Sequence, residues 1–195
     1  MKKITIKQQK GFTLIELVVV LAVFMMILDV AVSMFISMIQ HQKIVLQDQQ
    51  LLSQVSFVLD TMSDSLRTAS VDNLGSCLVD DSGFSHQGDV YLLTHYNMEE
   101  GYYQGIAFIS RDTRCREFFL DKDGILKESD NGAEPQAMLS DTFKIQYMRF
   151  MINGDKHLRL TARNLKVPRV TLSLKIGNQN QQNNTFQTTI SNNHE

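Results

Sequence analysis

The chain has 195 residues, 43% apolar and 21% charged, with no tryptophan, two prolines, two cysteines and a formal charge of −2. These values exclude a disordered tail and a collagen-like fibre, and so small a net charge does not by itself suggest a nucleic-acid binder. The averages hide a polarised layout, because residues 12–39 contain only two ionisable side chains, Glu16 and Asp29, and no Lys or Arg.

As a helix, those residues rise about 42 Å, more than the roughly 30 Å hydrocarbon core of a bilayer. Residues 12–39 are therefore expected to span a membrane. Ahead of them stand Lys2, Lys3, Lys7 and Lys10 with no acidic residue. A basic flank places the N-terminus in the cytoplasm and the rest of the chain outside. Ala31, Ser33 and Ser37 sit among bulky side chains and form no small-residue cleavage pattern, so removal of the helix as a secretory signal is not expected.

At the other boundary the sequence runs Lys10-Gly11-Phe12-Thr13-Leu14-Ile15-Glu16-Leu17. Over residues 8 to 40 this resembles the type IV pilins and type II secretion pseudopilins. The resemblance implies cleavage between Gly11 and Phe12 by a membrane aspartyl prepilin peptidase, then N-methylation of Phe12. Residues 1–11 would be the leader, 12–39 the transmembrane and assembly helix, 40–75 its extracytoplasmic continuation and 76–195 a β-rich domain. The mature chain would keep 15 basic and 21 acidic side chains and so become acidic.

A carboxylate in an apolar helix costs several kcal/mol unless it is paired or near the interface. For Glu16 the resemblance implies a partner, the freed amine of Phe12 on a neighbouring subunit. The simpler account is a carboxylate favoured by the helix dipole at about 0.3–1 kcal/mol. Asp29 falls about 25 Å beyond Phe12, near the outer edge of the hydrocarbon, where either interfacial water or a partner subunit would satisfy it. Many pilins of the resembled family carry a proline in the second half of this helix. Here the first proline is Pro135.

From Lys43 to Ala69, Leu51, Val55, Val58, Leu59, Met62, Leu66 and Ala69 recur at spacings of three and four, the mark of one covered helical face. Gln47, Asp48, Gln50, Gln54, Asp60 and Asp64 form the other face. Asp72, Asn73 and Gly75 are expected to stop the helix. The period then changes to two, and strands are expected over 89–96, 104–110, 116–120, 143–152, 157–162, 169–176 and 185–191. The phase slips near Met148, which suggests a bulge, and Asn153-Gly154 suggests a tight turn. The polar tract 178–184 reads as a loop. One long helix followed by antiparallel strands is an α+β arrangement, and it is pilin-like.

Cys77 and Cys115 fall in the part expected outside the cytoplasm, where they are either a disulfide or two buried thiols. Asp121, Asp123 and Glu128 surround a glycine turn, as calcium ligands or simply as a hairpin. The five histidines form no zinc spacing and no nucleophile-base series, so no catalytic residue, metal site or cofactor is expected. Residues 43–155 hold 9 basic and 18 acidic side chains, whereas 156–195 hold 6 basic and one acidic. Arg159, Arg163, Lys166 and Arg169 could be neutralised within the sheet, meet an acidic surface on the next subunit, or contact DNA phosphates.

The expected partners are a prepilin peptidase and methyltransferase, other pilins or pseudopilins, and the cytoplasmic membrane. Nucleic acid is not expected as the main partner. The sequence points to a non-enzymatic minor pilin or pseudopilin, single-pass in the inner membrane, at the base or tip of a fibre. Around 59–69 it is similar to J-type pseudopilins and W-type minor pilins. A DNA- or surface-binding pilus subunit using its basic C-terminal segment is the alternative, and an uncleaved membrane-anchored domain is a third reading.

Overall fold

The computed structural model describes residues 11–140, 143–154, 167–177 and 183–192. It contains one long helix, α1 (Leu14–Arg67), without a single glycine or proline to interrupt it. The chain divides into two compact units, one ending at Gln50 and the next beginning at Leu51.

In the first unit no described residue is buried. Phe12, Leu14, Leu21, Phe24, Met34, Phe35 and their neighbours present bare apolar surface. The hydroxyl of Ser33 donates to the carbonyl of Val30 at 2.8 Å, which satisfies it without water.

In the second unit the same helix has a covered stripe. Leu51, Val55, Val58, Met62 and Leu66 are buried, and with Ala69 they join sheet residues such as Ile106, Phe108, Phe118, Phe150 and Leu172 in one core. Full burial of such a side chain contributes about 1.5–3 kcal/mol. The helix stops at Arg67, earlier than the Asp72–Gly75 segment expected to end it. Two bonds close its last turn, from the Thr68 amide to Asp64 O and from the Ala69 amide to Leu66 O.

Asp72 serves another purpose. Fully buried, its carboxylate accepts the amides of Gly75 (2.6 Å), Cys77 (3.0 Å) and Leu78 (2.8 Å). Burial alone would raise its pKa, but the amides of Leu78, Cys77, Gly75 and Ser76 outweigh that and hold it below the ordinary value. Gly75, at φ +67°, supplies the left-handed residue this loop needs.

The strands are β1 (Tyr91–Asn97), β2 (Tyr102–Ile109), β3 (Cys115–Leu120), β4 (Leu126–Asp130), β5 (Gln136–Ala137), β6 (Lys144–Asn153), β7 (Arg169–Gly177) and β8 (Asn183–Ser191). They form one sheet in the order β5-β4-β3-β2-β6-β7-β8, with β1 also paired to β2, and every pairing is antiparallel. The pilin-like α+β architecture is therefore present.

Several local expectations change. Both β4 and β5 lack the alternation that marked the other strands. The bulge in β6 lies between Ile145 and Tyr147, not at Met148, so Ile145, Met148 and Phe150 all reach the core while Tyr147 packs edge-on against Tyr102. Asn153 pairs with Arg169, so β6 and β7 are direct neighbours. The strand expected over 157–162 lies outside the described residues. Asn183 and Asn184, expected in a loop, begin β8.

A polar clasp ties the chain's end to the helix exit. The buried Asn192 amide donates to Ala69 O at 2.9 Å and lies 3.1 Å from the Tyr91 hydroxyl, which itself donates to Leu66 O at 2.5 Å. Burial pushes the Tyr91 pKa up to about 12, against the lowering effect of Asn192. The hydroxyl therefore stays protonated as a donor.

Candidate assembly site

The helix opens at Leu14, and the carbonyl of Thr13 accepts the amides of Glu16 (3.1 Å) and Leu17 (3.3 Å). Glu16 sits in the first turn, one turn beyond Phe12, which is 80% exposed. Among the described residues no hydrogen bond or ion pair engages the Glu16 carboxylate. A Cβ added to Gly11 would meet nothing within 4 Å. Packing among the described residues therefore does not require glycine at this position. Asp29 is likewise exposed among apolar neighbours.

The other candidate residues lie in the second unit or outside the description. Cys77 and Cys115 are joined by a disulfide with 5.5 Å between their Cα atoms, and it fastens the loop after α1 to the start of β3. Asp121 opens the turn between β3 and β4, where the Gly124 amide donates to Asp121 O at 2.9 Å. Its carboxylate pairs with Lys127, whereas Glu128 lies 3.5 Å from Arg116. The structure does not gather Asp121, Asp123 and Glu128, and among the described residues no three His, Cys, Asp or Glu side chains converge on a metal position. Arg169 is exposed at the start of β7. Arg159, Arg163 and Lys166 lie outside the described residues.

One cluster escaped the sequence reading. His95 interrupts the pairing of β1 with β2, which runs from Thr94↔Gly105 directly to Tyr96↔Tyr103, and its φ is +54°. Its ring stacks on Phe119 at 4.4 Å, with Nε2 3.2 Å from the Glu117 carboxylate. The hydrogen bond that His95 donates to Glu117 raises the His95 pKa against partial burial. For Glu117, burial pushes upward, but the hydrogen bond from His95 and its charge act the other way, and the pKa is held down. Gly105 makes room, since a Cβ there would strike Thr94 Oγ1 and stand 2.8 Å from the His95 ring. A lone histidine in a strand carries no periodic signal, and only the Thr94–Gly105 register reveals its role.

Residues 6–28 match the family profile described as the prokaryotic N-terminal methylation motif. No curated protein and no solved structure matches the chain significantly. Among the described residues one helix, Leu14–Arg67, is long and apolar enough to cross a membrane, which fits inner-membrane anchoring of a prepilin. The motif implies processing by prepilin peptidase, and proteins of this kind are structural rather than enzymatic. The chain therefore carries the prokaryotic N-terminal methylation motif at the head of a long apolar helix, with an antiparallel sheet following in sequence.

Proposed function

We propose that the protein is a minor pilin or pseudopilin, a structural subunit of a type II secretion pseudopilus or a type IV pilus. Cleavage after Gly11 frees the amine of Phe12, which is methylated, and the helix N-terminus packs among those of neighbouring subunits. The basic leader orients the chain with its N-terminus inside and the sheet outside. The similarity of 59–69 to J-type pseudopilins and W-type minor pilins favours a subunit placed at the base or tip.

The observation that carries this reading is the uncovered apolar surface of α1 before Leu51. So large an apolar area is stable in a bilayer or against other helices, and unstable in water. Gly11 adds support, because a glycine that packing does not require suits recognition by a processing enzyme. Glu16, a carboxylate in an apolar helix, suits neutralisation by the Phe12 amine of the adjoining subunit. Substituting Glu16→Leu should leave membrane insertion intact and sharply reduce incorporation into the fibre. Normal incorporation of this variant would contradict the proposal.

A further inference from the structure

Charge is segregated along the chain. Residues 68–110 contain six acids and no Lys or Arg, whereas 156–175 contain six Lys or Arg and no acid. Two of those acids, Asp72 and Asp89, are buried. The other four, Asp80, Asp81, Glu99 and Glu100, belong to the loop before β1 and the turn between β1 and β2.

Between that loop and that hairpin lies a groove of about 440 Å³; among the described residues no Lys or Arg lines it, and its basic groups are His86 and His95. Leu92 and Leu93 supply apolar lining, and Tyr96 and Tyr103 form an aromatic wall at the end nearest Glu99 and Glu100. The two tyrosine rings are 4.9 Å apart and tilted by 57°, and both are well exposed. Asp80 is committed to its own loop, accepting the amides of Ser82 (3.0 Å) and Phe84 (2.9 Å) and a contact from His86 at 3.3 Å. Asp81, exposed on the same groove, has no hydrogen bond or ion pair among the described residues. Its charge acts on the His95 ring of the same groove, and an exposed carboxylate beside exposed tyrosine faces is the chemistry that receives a lysine or arginine head group.

We propose that this groove receives the basic stretch 156–169 of a second copy of the chain. The inference rests on the reading of the protein as an assembling subunit and names one contact in that assembly. Groove and basic stretch are different parts of the sequence, so a contact between two copies through them is head-to-tail. Such contacts propagate into an open array, whereas a closed two-fold pair would require one self-complementary patch. Charge complementarity would set the register of successive subunits.

The test uses the full chain, prepared separately with natural and heavy nitrogen and mixed in detergent micelles. A zero-length carbodiimide then joins contacting carboxylates to lysines, and mass spectrometry identifies the linked peptides. The expected result is a linkage between Asp81 and Lys156 or Lys166 in which one peptide is light and the other heavy, lost in Asp81→Asn. Linkages of a single isotope only would mean that the groove is filled by its own chain and would overturn the proposal. Absence of any linkage at Asp81 would overturn it too. The N-terminal mass of the same samples reports separately whether the chain was processed, so failure of the groove contact and failure of the assembly reading are distinguishable.

Discussion

The two stretches of α1 before and after Gln50 share one helix but differ in composition and in circumstance. Before Leu51 its apolar side chains are bare, whereas from Leu51 a stripe of five is buried in the core while Leu52 and Phe57 stay exposed among polar residues. Helicity does not distinguish them, since no glycine or proline interrupts either. What differs is the source of cover. The later stretch is covered by its own chain, while none of the described residues covers the earlier one, whose cover is proposed to be lipid or other subunits.

That contrast can be broken by substitution. Leu66→Ala, within the covered stripe, should cost about 2–5 kcal/mol by loss of burial and an unfilled cavity, read as a lowered midpoint in denaturant titration of the full chain in detergent. Leu21→Ala in the bare stretch should leave that midpoint unchanged. Equal losses at both positions would abolish the distinction.

The disulfide sharpens the account of the second unit. Replacing Cys77 and Cys115 by Ser opens a loop with a sequence separation of 38, which the chain-entropy treatment values at about 3–4 kcal/mol. Unfolding of the variant and the parent under non-reducing conditions measures the difference. Gly105→Ala should come next, at about 1–3 kcal/mol, because the added methyl displaces Thr94 or lifts His95 from Phe119. The NMR shifts of the His95 ring would report that displacement directly.

Asp72 makes stability depend on pH. Its folded pKa lies below the unfolded value, so its contribution is present above the unfolded pKa and is lost as pH falls through the folded one. Glu117 acts with the same sign. His95, whose pKa is raised, contributes below its unfolded pKa and loses that contribution as pH rises through the folded value. Asp72→Asn should therefore lower stability at neutral pH and flatten the acid limb of the stability profile, with a cost of about 1–3 kcal/mol. Smaller still, at about 1 kcal/mol, is the loss expected for Tyr91→Phe, which removes the hydroxyl bonded to Leu66 O.

Much of this layout was legible because it is periodic. Spacings of three and four from Leu51 to Leu66 marked the covered stripe, and alternation in 169–176 marked β7. In β4, by contrast, Leu126 is followed by Lys, Glu, Ser and Asp, so no apolar period remains. That strand is held instead by pairing with β3 and by charge pairs such as Arg116–Glu128 and Arg114–Asp130, which join residues distant in sequence. The helix stop was misplaced because Asp72 and Gly75 have the residue types of a cap while building a separate loop. Gly11, Phe12 and Glu16, the residues proposed for processing and assembly, were legible as a motif of the matched segment 6–28. The Asp81 groove was not, because it exists only once β1 and β2 pair.

The central claim is that the chain matures into an assembling subunit, and intact-mass analysis of the protein isolated from membranes tests it most directly. The account predicts a chain that begins at Phe12 with a methylated amine. A chain that retains residues 1–11 would contradict it.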